Sequence, residues 1–252
     1  MTRRFQCFIT IVLLCGATAA HAQPLAWRTL APGLEYASIQ LGTADEPSTV
    51  HAFRMNLAHY RLDLALAKDY GLHATSVREL GERSKATIAI NGGFFSPENV
   101  SLGLRIQNGK LRSPLKPTSW WGVFAITGNR PRIVAQRDYA PTPGTTMAVQ
   151  AGPRLVVDGK IPSLTDGEAE RSGLGITASG RVIVAVTEHA AMTTTEFAEF
   201  FQLSEAKGGF GCGNALNLDG GHSTQLYARL GQFRLHIPNL SLVTDAVIVK
   251  AR

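Results

Sequence analysis

The sequence predicts a single mixed α/β domain of the α+β kind, with a mixed central β-sheet flanked by helices. Three observations carry that expectation. Of 252 residues, 44% are hydrophobic and only 17% charged, against roughly 25% charged in an average soluble protein. There is enough apolar material for a sizeable core, and global disorder is excluded. The apolar residues fall in short runs, most of them alternating or β-branched, with fewer on helical spacing. Glycine contributes 25 residues, an excess that suits a turn-rich enzyme better than a helical bundle.

Taken in order, the first 22 residues stand apart. Arg3 and Arg4 precede an apolar run over residues 8–14, and Ala20-His21-Ala22 places small residues at the two positions a signal peptidase inspects. The run is too short to span a bilayer. Residues 1–22 are therefore expected to be a cleaved signal peptide, and residues 23–252 an exported domain, periplasmic or secreted. Cys15 follows Leu14 where a lipobox needs a small residue. No later run is long and apolar enough to span, so no stable membrane insertion is expected after cleavage. Cleavage removes Cys7 and Cys15 and leaves Cys212, so the fold is expected to stand without an intramolecular disulfide. The formal charge of +6, less two leader arginines, becomes +4. That mild balance reads as scattered surface Lys and Arg, and no nucleic-acid partner is expected. About 230 residues without an internal repeat fit one domain.

Residues 60–66 alternate through Leu62, Leu64 and Leu66 and predict a half-buried strand. Residues 76–83 predict a short helix, with Ser76 as N-cap and Glu79 completing a capping box. Residues 86–90 form a compact buried strand ending at Asn91-Gly92-Gly93. Residues 122–126, 173–176 and 181–186 read as further strands, the last two joined as a hairpin through Ala178-Ser179-Gly180. Residues 193–205 carry Phe197, Phe200, Phe201 and Leu203 on helical spacing, with Thr194 or Thr195 as cap. Residues 215–218 are a buried strand ending at Asp219-Gly220-Gly221.

Two of these strand ends share a design: an apolar strand stops at a polar residue followed by two glycines. Strand carboxyl ends are where open α/β sheets place ligands, and paired glycines let backbone N–H groups turn outward as an anion-binding nest. Either pair alone reads as a tight turn. Two matched copies favour a site, with an amide and a carboxylate held rigidly at the floor of a cleft.

Four motifs extend this pattern: Asn91-Gly92-Gly93-Phe94-Phe95, Gln150-Ala151-Gly152-Pro153-Arg154-Leu155, Arg171-Ser172-Gly173-Leu174-Gly175 and Leu216-Asn217-Leu218-Asp219-Gly220-Gly221-His222-Ser223. In order and spacing the chain resembles the phosphodiester glycosidase family over residues 52–250. Many members of that family carry Gly where this chain has His222. The resemblance implies a mixed α/β catalytic domain, hydrolysis of a sugar-1-phosphodiester, and a sugar-phosphate or phosphoglycan partner, here in an envelope or extracellular glycan such as an exopolysaccharide.

That chemistry fits the residues. Hydrolysis at an anomeric carbon passes through an oxocarbenium-like transition state. Phosphate is already a competent leaving group, so one carboxylate at that carbon and cations on the phosphate suffice. Asp219, at the end of a buried strand, is the first choice, as nucleophile or as base for water. Glu188 is the natural second carboxylate and reads equally as an exposed strand-end charge. Arg154 and Arg171 are candidates to hold the phosphate through guanidinium forks. Asn91, Gly92, Gly93, Gly220, Gly221, His222 and Ser223 complete the expected substrate-binding set. Asn91, Ser223 and Thr224 suit hydrogen bonds to sugar hydroxyls or phosphate oxygens. Trp120 and Trp121 are candidates to stack on a sugar face, with core packing as the job of at least one.

A serine-hydrolase reading of Gly221-His222-Ser223-Thr224-Gln225 lacks the second glycine of G-x-S-x-G. There is no H-E-x-x-H and no Cys pair for zinc. No metal site and no certain cofactor are expected, although a divalent cation bridging phosphate and Asp219 stays open. The alternatives are a phosphodiesterase that cuts the P–O bond and a non-catalytic periplasmic glycan-binding or envelope-assembly protein.

Overall fold

The computed structural model describes residues 24–165 and 167–252. The expected signal peptide, with Cys7 and Cys15, lies outside the described residues. Among them the chain forms seventeen strands and two α-helices. The first part runs β1 (Arg28–Ala31), β2 (Leu34–Gln40), β3 (Thr49–Met55), β4 (Tyr60–Leu66), α1 (Val77–Arg83) and β5 (Ile88–Asn91). It continues through β6 (Arg105–Gln107), β7 (Lys110–Ser113), β8 (Gly122–Thr127), β9 (Arg130–Ala135), β10 (Thr145–Ala151) and β11 (Arg154–Val156). The last part holds β12 (Ser172–Thr177), β13 (Val182–Glu188), α2 (Thr194–Gln202), β14 (Cys212–Asn217), β15 (Leu226–Leu230), β16 (Phe233–Ile237) and β17 (Asp245–Ala251).

The strands build three sheets, in the orders β1-β2-β3-β13-β12-β14-β11, β7-β6-β10-β8-β9 and β16-β15-β5-β17-β4. The pairings that join them, such as β12 with β13, β10 with β8 and β17 with β5, are antiparallel. One face of each sheet turns to a common core, where Phe53, Leu64, Ile90, Phe124, Val149, Val184 and Leu216 meet. The expected single mixed sheet flanked by helices is thereby corrected to a β-rich domain. Short alternating strands can bury one side each, so three antiparallel sheets share the interior. The two helices are covers on outer faces. Helix α1 lays Val77 and Leu80 against Ala89, Ala246 and Ile248. Helix α2 lays Phe197 and Phe201 against Ile183, Ala185 and Ala215.

The glycines of β12 serve that second contact. A β-carbon on Gly175 would lie 2.6 Å from a Phe201 ring carbon, and one on Gly173 would lie 3.0 Å from Phe197. They make room for helix α2 rather than for a ligand. Both helix starts differ in detail from expectation. Ser76 caps α1, accepting the Glu79 N–H at 3.2 Å. The Glu79 carboxylate, however, takes the Thr75 hydroxyl and Arg83, so the box is half formed. In α2 the cap is Thr193, and its box with Glu196 is complete. The β12–β13 hairpin turns where expected, with Gly180 at φ +75°.

Candidate active site

The two glycine-ended strands belong to different sheets, and their carboxyl ends meet. The Asp219 N–H donates to the Gly92 carbonyl at 3.2 Å, and the Asn91 amide donates to the Asp219 carbonyl at 2.7 Å. Asn91 Oδ1 accepts the Ser172 hydroxyl at 2.6 Å and the Gln225 N–H at 3.2 Å. Asn91 is fully buried, so it is the stitch between two sheets; its expected place against substrate is corrected.

The glycine N–H groups face inward as well. Gly92 donates to the Asp245 carbonyl at 3.0 Å and Gly93 to Asp245 Oδ1 at 3.3 Å. Gly220 donates to Asp219 Oδ1 at 3.0 Å and Gly221 to the Glu170 carbonyl at 2.8 Å. These bonds overturn the expectation of an anion-binding nest at the glycine pairs. Gly92, Gly93 and Gly220 are demanded by close approach instead, a β-carbon on Gly92 lying 1.8 Å from Asp245 Oδ1, and Gly221 by its left-handed backbone, φ +58°.

Beneath this floor lies a buried ion pair that sequence reasoning missed. Arg105 Nε donates to Asp245 Oδ2 at 3.0 Å, and both side chains are wholly inaccessible. The rest of the guanidinium donates to the carbonyls of Phe94, Leu102, Leu104 and Gln150. Asp245 Oδ2 also accepts the Ser101 and Thr244 hydroxyls. A buried pair persists only when its remaining donors and acceptors are met in this way. The available signal was a charge interrupting an apolar stretch, as in Leu104-Arg105-Ile106 and Asp245-Ala246-Val247.

Asp219 is half-buried, and burial pushes its carboxyl above the ordinary value of 3.8. The Ser223 hydroxyl and the Gly220 N–H pull the other way, and the Asp245 charge adds to the rise. His222 is exposed at the ring, while its carbonyl accepts the Ser241 N–H at 3.1 Å. Thr224 is fully buried, and its hydroxyl has no partner among the described residues.

Glu188 ends β13. Strands β13 and β14 both pair antiparallel with β12, so they end on the same edge of the sheet, two strand spacings or about 10 Å apart. Between them lies Glu170, also missed, although it directly precedes the Arg171 motif. Glu170 accepts the His189 N–H at 3.1 Å and the Asn239 amide at 2.5 Å. His189 adopts a left-handed backbone, φ +52°. The side chain of Glu188 is 29% exposed and accepts from His51 at 2.9 Å.

The two expected phosphate arginines separate. Arg171 Nε donates to the Met192 carbonyl at 3.0 Å, and its Nη2 bonds the Gly167 carbonyl. Its guanidinium ties two loops together, which corrects the phosphate assignment. Arg154 pairs opposite Leu216 in edge strand β11, its stem packed over Gly122. Its guanidinium has no partner among the described residues. Trp121 is buried against Phe94, with centroids 5.0 Å apart, and Trp120 stands edge-on to it, 55% exposed. Among the described residues no three His, Cys, Asp or Glu side chains converge to hold a metal.

The β-rich domain thus sets a half-buried carboxylate where two glycine-ended strands meet, with a second carboxylate at the same end of the large sheet. The chain belongs to the phosphodiester glycosidase family, which matches over residues 84–250. It is 27% identical over 197 residues to the uncharacterized protein YigE of Escherichia coli (strain K12), covering 71% of this chain and 75% of that one. Among solved structures it is similar to the catalytic domain of zebrafish N-acetylglucosamine-1-phosphodiester alpha-N-acetylglucosaminidase, auto-inhibited by its pro-peptide. There the TM-score is 0.65 at 17% identity, over 91% of this chain and 87% of that one. A hypothetical protein from Synechocystis is similar with a TM-score of 0.62 at 16% identity. That match covers 92% of this chain but 65% of the other, so this chain spans just under two thirds of its length. At such identities the two structures share the fold.

Proposed function

We propose that this protein, after export, hydrolyses a sugar-1-phosphodiester in an envelope or extracellular glycan, breaking the bond between the anomeric carbon and the phosphate oxygen. The observation that carries the reading is the carboxylate of Asp219, seated where the two motif strand ends join and made more basic by burial. An oxygen, from water deprotonated by Asp219 or from Asp219 itself, forms the new bond to the anomeric carbon. The phosphate oxygen leaves with the bonding electron pair, and it needs no acid because phosphate is a stable anion. If Asp219 is the nucleophile, water then releases the sugar from it. The Ser223 hydroxyl favours the charged form of Asp219, and Glu188 supplies the second carboxylate. Trp120 offers its exposed indole to a sugar ring. Arg154 is the cation left for the phosphate.

Turnover of a synthetic N-acetylglucosamine 1-phosphodiester in oxygen-18 water tests the reading. Label in the sugar is the expected result, whereas label in the phosphate makes the protein a phosphodiesterase that cuts P–O. Asp219→Asn is expected to lower kcat by about 100-fold or more. Ligand binding without any turnover in the unaltered protein points to a glycan-binding module.

A further inference from the structure

The inward face of the large sheet carries a row of polar side chains where its neighbours are apolar. His51, on β3, is 6% exposed and lies between strands whose inward residues include Phe53, Val184 and Val186. A buried imidazole in such company is unfavourable unless both ring nitrogens are bonded. Both are. His51 Nε2 lies 2.9 Å from Glu188 Oε2, and His51 Nδ1 lies 2.8 Å from the Tyr36 hydroxyl.

The directions of these bonds follow from chemistry. An ionised carboxylate only accepts, so Nε2–H donates to Glu188. A neutral imidazole then has Nδ1 free to accept, and Tyr36 donates to it. The Tyr36 hydroxyl thereby selects the Nε2–H tautomer, the one that can hold the carboxylate. The tyrosine ring is itself fixed, 5.2 Å from the Phe53 ring and 5.1 Å from the Phe233 ring, with the Arg28 guanidinium 5.6 Å from its centroid. The chain of bonds crosses the sheet diagonally: β2 sets Ser38 opposite His51, and β13 sets Glu188 opposite Thr49. It starts at a packed aromatic cluster and ends at a half-exposed carboxylate on the same sheet edge as Asp219.

We infer that Tyr36 and His51 are positioning residues that hold the Glu188 carboxylate in one orientation for the reaction. The inference rests on the role given to Glu188 in the proposed hydrolysis. Its test combines kinetics on the N-acetylglucosamine 1-phosphodiester with nitrogen-15 spectra of the whole chain labelled at histidine. Glu188→Gln should lower kcat by about 100-fold. His51→Ala should lower kcat by about 10- to 100-fold while KM moves by less than about threefold, because orientation and not binding is lost. His51→Gln, whose amide can donate to Glu188, should recover most of that loss, and Tyr36→Phe should fall between the two. The spectra should show the His51 ring as the Nε2–H tautomer, with its nitrogen shifts moved by Glu188→Gln. An Nδ1–H tautomer overturns the inference whatever the turnover. Unaltered kcat in His51→Ala beside a slow Glu188→Gln overturns the positioning alone. Unaltered kcat in Glu188→Gln removes Glu188 from the reaction and the inference with it, while Asp219→Asn still decides the hydrolase reading.

Discussion

In the proposed hydrolysis Asp219 links stability to activity. Burial disfavours its charged form, so its folded value stands above the 3.8 of an ordinary aspartate. As base or nucleophile it must be ionised. The rate kcat/KM is therefore expected to rise with pH through a midpoint above that ordinary value, and a pH profile that is flat there would remove Asp219 from the role. The same shift acts on folding. Between the unfolded and the raised folded value the native state binds more protons, so the protein loses stability as pH rises through that window. Asp219→Asn does not titrate, and it is expected to unfold at a higher temperature than the unaltered protein near neutral pH. The difference should close below the ordinary aspartate value, as thermal melts across pH will read. The strand-and-glycine pattern around Asp219 was legible in the sequence. What Asn91 and Arg171 do was not, because an amide or guanidinium is read only from what it touches, and both touch their own chain.

At the scale of elements, the strands with clean alternation or β-branched cores were readable, as β4, β5, β12 and β13 were. Strand β3 was passed over because His51 and Arg54 interrupt its apolar rhythm, and β17 because Asp245 and Lys250 stand at its ends. In the fold His51, Arg54 and Asp245 are matched. Asp245 meets Arg105, and Arg54 meets Glu35 and Glu205. The junction of β5 with β17 and β14 leaves no volume at Gly92. Gly92→Ala is expected to destabilise the fold by about 3 kcal/mol, from overpacking against the buried Asp245. Gly159→Ala is the control, because nothing lies within 4 Å of its added carbon and only its left-handed backbone matters, at about 1 kcal/mol. Urea unfolding of the two variants separates them, and equal losses would show that Gly92 is no tighter than a surface turn.

For the whole molecule, a single described cysteine reports on cooperativity. Cys212 is buried under helix α2, and burial pushes its thiol far up, out of reach of reagents that need the thiolate. Thiol labelling mapped to Cys212 is expected only as the domain opens, at a rate that follows global unfolding with denaturant. Rapid labelling in native buffer would mean that α2 lifts from the sheet on its own. The same scale divides what sequence alone determined from what the tertiary structure decided. The alternating runs and the helix starts within a residue are local properties that composition and spacing were enough to read, and the four motifs are local stretches that carry the resemblance to the family. Which side chains meet in the fold is not local. Asn91 lies 128 positions from Asp219, and Tyr36, His51 and Glu188 come from three separate strands. Strand parity and the packing of three sheets set which way each of these side chains points. A one-residue change of register would send them to the opposite face, so only the folded sheets could turn Arg171 into its loops, bury Arg105 with Asp245, and line up Tyr36, His51 and Glu188.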